Sequence, residues 1–79
     1  MPEYPRLKNV TVLASLRLLL EFETGEFRLL DGSQFIQSGL SLELIDPDIF
    51  GTVQVSGGGG LRWINGYALS PELLAQLLK

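Results

Sequence analysis

The chain has 79 residues, 46% of them apolar, with six basic and nine acidic side chains and neither cysteine nor histidine. Without cysteine there are no disulfides, thiolate ligands or thiol nucleophiles. Without histidine the commonest metal ligand and the commonest acid–base group near neutral pH are also missing. A chain this short forms one domain and buries only roughly 60% of its unfolded surface, so of the usual supports for a small fold, association is the one that remains.

Residues 1–8 carry Pro2 and Pro5 and read as an extended N-terminal arm of a single domain spanning 1–79. The segment is polar and lacks the apolar stretch of a signal peptide. The greasiest run, Val10 to Leu20, is interrupted by Thr11, Ser15 and Arg17 and is shorter than the ~20 residues a bilayer requires. No membrane association and a cytoplasmic location are therefore expected.

Asn9 to Ala14 (NVTVLA) is β-branched and reads as a strand. Arg17 to Glu23 and Glu26 to Asp31 flank Thr24-Gly25, the signal of a hairpin with a two-residue loop. That loop sets Phe22 opposite Phe27, Glu21 opposite Arg28 and Leu20 opposite Leu29, pairings that favour cross-strand contact. It puts Leu18, Leu20, Phe22, Phe27 and Leu29 on one, inward face, and Leu19 and Leu30 on the other beside Arg17, Glu21 and Arg28, half apolar and expected to be covered. A three-residue loop would set Phe22 against Glu26 and exchange one strand's faces.

Leu40, Leu42 and Leu44 alternate and suggest a short strand after Gly39. Asp46-Pro47 has the form of a helix start, with an aspartate cap and proline in the first position, ending by Phe50-Gly51. Thr52 to Ser56 alternates as a strand with Val53 and Val55 inward, and Gly57 to Gly60 loops back to a partner strand at Leu61 to Ile64. Asn65-Gly66 marks a turn. Ser70-Pro71-Glu72 then opens a closing helix whose apolar stripe is Leu73, Leu74, Leu77 and Leu78. Being so short, that helix must dock on the sheet or on a neighbour. The fold class is thus α+β: a small antiparallel sheet of hairpins, a short helical turn and a C-terminal helix.

Chemistry is hard to place on this frame. The glycine run precedes a strand and has no Lys-Ser/Thr pair, so it is a loop rather than a phosphate cradle. Glu21, Glu23, Glu26 and Asp31 surround a hairpin that should be wet, which favours solvated charge over a carboxylate pair with shifted pKa values. Asp46 and Asp48 are separated by Pro47 and lack the further ligands of a calcium loop. The basic residues are scattered, unlike the clustered footprint of a nucleic-acid binder. Trp63, Asn65 and Tyr67 are the most distinctive residues, and the two aromatic ones admit two roles. Either they plug the core between sheet and C-terminal helix, or they anchor a partner.

The strings L-E-F-E-T-G-E-F-R (Leu20 to Arg28), D-P-D-I-F (Asp46 to Phe50) and L-R-W-I-N-G-Y-A-L-S-P-E-L-L (Leu61 to Leu74) resemble a bacterial family of unknown function, the one numbered 2442. The likeness covers about Asn9 to Leu74. Its most specific part is the W-x-N-G turn followed by the S-P-E-L-L helix start. Ile64 stands where the family usually has proline, Ala68 where an acid often follows, and Ala75 where an aromatic is usual. The resemblance implies a small α+β domain, alone or joined to a helix-turn-helix segment, often beside another small protein in what looks like a toxin–antitoxin or regulatory pair. It implies no catalytic residue.

The reading that results is an interaction or regulatory module, a homodimer or the partner of a small protein. It has no catalytic activity, cofactor or metal, and no direct contact with nucleic acid. Trp63, Tyr67, Leu74 and Leu78 are its candidate partner-binding residues. The alternatives are a DNA-associated regulator or antitoxin-like partner and a small-ligand binder or carboxylate enzyme.

Overall fold

The computed structural model describes residues 6–78; of the expected arm, residues 1–5 lie outside them. The chain folds as two small antiparallel sheets and short helices around one core, an α+β domain. The first sheet has the order β1-β2-β3, from Leu7–Leu13, Arg17–Phe22 and Phe27–Asp31. Leu7 and Lys8 therefore belong to β1 rather than to an arm. Leu7 is drawn in because its side chain is buried and its N–H donates to the Gly59 carbonyl. A bulge between Leu7 and Asn9 accommodates the extra residue.

The hairpin between β2 and β3 departs from the two-residue expectation. Phe22 N–H donates to the Glu26 carbonyl, and Gly25 N–H, from a residue at φ +89°, donates back to Phe22. The loop is therefore Glu23-Thr24-Gly25, a three-residue turn whose last position needs a left-handed backbone that glycine supplies. Every pair moves by one: Leu18 meets Leu30, Leu19 meets Leu29, Leu20 meets Arg28 and Glu21 meets Phe27. Leu18, Leu20, Phe22 and Leu30 point into the core, while Phe27 and Leu29 point out. Burial of Leu30 and release of Arg28 to the sheet edge outweigh the like-with-like pairs that the other register offered.

The leucines after Gly39 do not make a strand. Gly39–Ile45 is a 3-10 helix, following a shorter one at Gly32–Gln34. With about three residues per turn, only one leucine of the alternating set can face inward; Leu44 is buried, and Leu40 and Leu42 are exposed. Ser41 locks the start of this helix. Its Oγ accepts from the Gln37 and Ser38 N–H groups and donates to the Ser38 carbonyl.

Helix α1, Pro47–Phe50, starts as expected, with the Asp46 carboxylate accepting from Asp48 N–H and proline in the first turn. The second sheet has the order β4-β5-β6, from Gln54–Val55, Leu61–Arg62 and Ala68–Leu69. Its strands are shorter than the sequence pattern suggested, and β6, at the end of the Asn65-Gly66 turn, is an element the pattern did not reveal. Gly60 lies so close to β6 that a Cβ there would sit 2.1 Å from the Leu69 carbonyl oxygen. Ser56 closes the glycine loop by accepting from Gly59 and Gly60.

Helix α2, Pro71–Leu77, is capped by Ser70, whose Oγ accepts from Leu73 N–H. Its other end is held by the first sheet and the 3-10 helix that follows it. Arg28 Nη2 donates to the Leu78 carbonyl, and Gln34 Nε2 donates to the Leu77 carbonyl at 2.9 Å. Cationic and amide donors there satisfy the orphan carbonyls and oppose the negative end of the helix dipole. Only Leu74 of the expected stripe is fully buried; Leu77 and Leu78 are half-buried and Leu73 is exposed.

Candidate functional site

Trp63 lies at the end of β5 and is 3% exposed. Its indole N–H donates to the Phe50 carbonyl at 3.1 Å, and its ring packs on Phe35, Phe50 and Tyr67 with centroids 5.6, 6.3 and 5.6 Å away. Tyr67 stacks on Phe35 at 6.2 Å and remains half-buried, and that burial raises its phenol pKa above the usual 10.0. Asn65 organises the turn between them. Its Oδ1 accepts from Tyr67 N–H, and its Nδ2 donates to the Leu40 carbonyl and to Glu43, tying the 3-10 helix to the aromatic cluster.

The four candidate partner-binding residues are therefore not one surface. Trp63 and Leu74 are interior residues of the core, 3% and 2% exposed, and reach the surface only where they line the grooves. Tyr67 and Leu78 are each half-exposed on different parts of the core's margin.

Among the described residues, two of the surface grooves bear on these side chains. One, of about 570 Å³, runs along Gly51–Gln54 and Arg62–Ile64 beneath the exposed Ile64. The other, of about 290 Å³, lies between the first hairpin and α2, with Phe22, Leu74 and Leu78 as apolar lining and Glu26 and Arg28 at its polar side. Arg28 is already committed there, paired with Glu26 at 3.6 Å and bonded to the α2 terminus. Among the described residues no group of three or more acidic side chains is placed to hold a metal ion. No buried side-chain polar atom in those residues lacks a hydrogen-bond partner.

No family model, curated protein or solved structure matches this chain.

The surface that stands out is the outer face of the first sheet. Pairing aligns three rows across its strands: Asn9–Glu21–Phe27, Thr11–Leu19–Leu29 and Leu13–Arg17–Asp31. Phe27 and Leu29 are 56% and 51% exposed, Leu13 is also exposed, and Leu19 between them is half-buried. Charge sits at both ends. At one, Glu21 accepts from Asn9 Nδ2 at 3.2 Å and lies 3.9 Å from Lys8 Nζ. At the other, Arg17 stands opposite Asp31 in the strand register. The Asp31 carboxyl caps the following 3-10 helix, and the Ser33 N–H it accepts is the main reason its pKa falls below 3.8, with Arg17 adding to the effect. The sequence pattern marked this face as half apolar through Leu19 beside Arg17 and Glu21, but the hairpin register it favoured placed Leu30 there and turned Phe27 and Leu29 inward.

Proposed function

We propose that this protein is a protein-interaction module that acts through association rather than through chemistry of its own. The observation that carries this reading is the outer face of the first sheet, where Phe27 and Leu29 stand in solvent beside Leu19. An apolar strip with charged ends on a soluble domain is the usual signature of a docking surface. The economy of charge supports the same reading. Lys8, Arg17 and Arg28 each neighbour an acid, and Glu26 and Arg28 in the second groove are already paired with each other. The reading also predicts no salt-dependent binding of the isolated domain to duplex DNA, since such binding needs uncompensated cations. Light scattering on the purified chain, with affinity capture of a small partner from the native host, tests it. A strict monomer at high concentration that recovers no partner would overturn it.

A further inference from the structure

We infer that the partner of the outer face is a second copy of the same chain, packed face to face about a two-fold axis running along the Thr11–Leu19–Leu29 row. This deepens the reading above and rests on it. The argument is charge complementarity. Outward positions on the central strand read Arg17, Leu19, Glu21: a cation, an apolar centre and an anion, evenly spaced about Leu19. An isologous interface must complement itself. With the axis along the row, the second copy's β2 runs antiparallel to the first. Leu19 then meets Leu19, Leu29 meets Leu29, and each Arg17 meets the Glu21 of the other copy. An axis along the strands would instead set Arg17 on Arg17 and Glu21 on Glu21, like charges that oppose docking. In the first arrangement Lys8 stays beside Glu21, and Phe27 falls opposite the other copy's Asp31, whose carboxylate already accepts from the Ser33 N–H of the 3-10 helix it caps.

Strands about 4.8 Å apart, with residues rising about 3.3 Å each, give the face a footprint of about 15 by 20 Å. Two such faces bury on the order of 600 Å² together, below the size of a standard specific interface, so a weak dimer, of lower than about micromolar affinity, is expected.

The test is sedimentation equilibrium on the full chain from about 10 μM to about 1 mM, spanning that affinity range. Wild type should dimerise. Arg17→Glu and Glu21→Arg should each weaken self-association about tenfold or more, because each places two like-charged pairs in its homodimer. An equimolar mixture of the two variants should recover affinity, because both contacts in the mixed dimer are again opposite in charge. Circular dichroism checks that both remain folded. If either does not, a folded Leu29→Lys variant should be monomeric, and one that still dimerises overturns the proposed surface. A wild type that is monomeric at the highest concentration overturns the dimer itself. A wild-type dimer whose single variants are unaffected, or whose mixture stays monomeric, leaves association standing but refutes this face and this axis.

Discussion

Replacing Leu30 and Leu29 in turn by alanine separates the two possible hairpin registers by their energetics. Leu30 is fully buried opposite Leu18, whereas Leu29 is half in solvent opposite Leu19. Truncating a buried leucine costs about 2.7–5 kcal/mol, the lost transfer energy plus the cavity left behind. An exposed one costs about 0.5 kcal/mol or less. For a domain of this size, whose whole stability is on the order of 4–12 kcal/mol, Leu30→Ala removes a large share. At about 4–8 °C per kcal/mol, it should lower Tm by roughly 10–40 °C, or leave the chain unfolded at room temperature. Urea unfolding followed by Trp63 fluorescence measures both variants. It should be run at low micromolar protein, so that any dimer linked to Leu29 does not add apparent stability. Equal losses for the two, or a larger loss for Leu29→Ala, would refute the three-residue loop and the outward face built on it.

Gly60→Ala should cost about 2 kcal/mol or more, because its Cβ would sit 2.1 Å from the Leu69 carbonyl oxygen and force the backbone to move. Gly57→Ala, where nothing lies within 4 Å, should be within about 0.5 kcal/mol of wild type in the same urea assay. Trp63→Phe leaves the Phe50 carbonyl without its indole donor and should cost about 1–3 kcal/mol before any cavity is counted, read by circular dichroism in urea because the variant has no tryptophan. Asp31 has a folded pKa below its ordinary 3.8, so its contribution is complete above that value and is lost as pH falls through the folded pKa. Asp31→Asn should therefore flatten the acid limb of urea midpoint against pH below about 4, and an unchanged limb would refute the role of the cap.

Much of the architecture was legible because it rests on local chemistry. Asp46-Pro47 and Ser70-Pro71-Glu72 begin helices where they do because an N-cap oxygen and a proline satisfy or remove orphan donors, whatever the rest of the chain does. The first hairpin and the Asn65-Gly66 turn followed from glycine in the same way. What escaped was decided by tertiary contacts. Phe22 facing Phe27 was the better local pairing, but it lost to burial of Leu30 against Leu18 and to the bond from Arg28 across to α2. The alternation of Leu40, Leu42 and Leu44 belonged to a 3-10 helix fixed by Ser41 and tethered by Asn65, neither of which leaves a mark on periodicity. Trp63 was distinctive because it closes the interior, and Leu19 beside Arg17 and Glu21 marked the second face as half apolar, but Phe27 and Leu29 join that face only in the three-residue register.

The Asn65-Gly66 dipeptide carries a chemical consequence of its own. Asparagine before glycine is the pairing most prone to lose its side-chain amide through attack by the following backbone nitrogen. In the folded domain the Asn65 amide nitrogen is held by Leu40 and Glu43, and Gly66 N–H is occupied by the Trp63 carbonyl, so the reacting atoms are held back. Unfolding releases both restraints at once. Conversion to a carboxylate would then place an anion against Glu43 and remove two donors, so a molecule that has once aged at this turn would refold without its hook on the 3-10 helix. Deamidation here becomes a slow, cumulative record of how often the chain has opened.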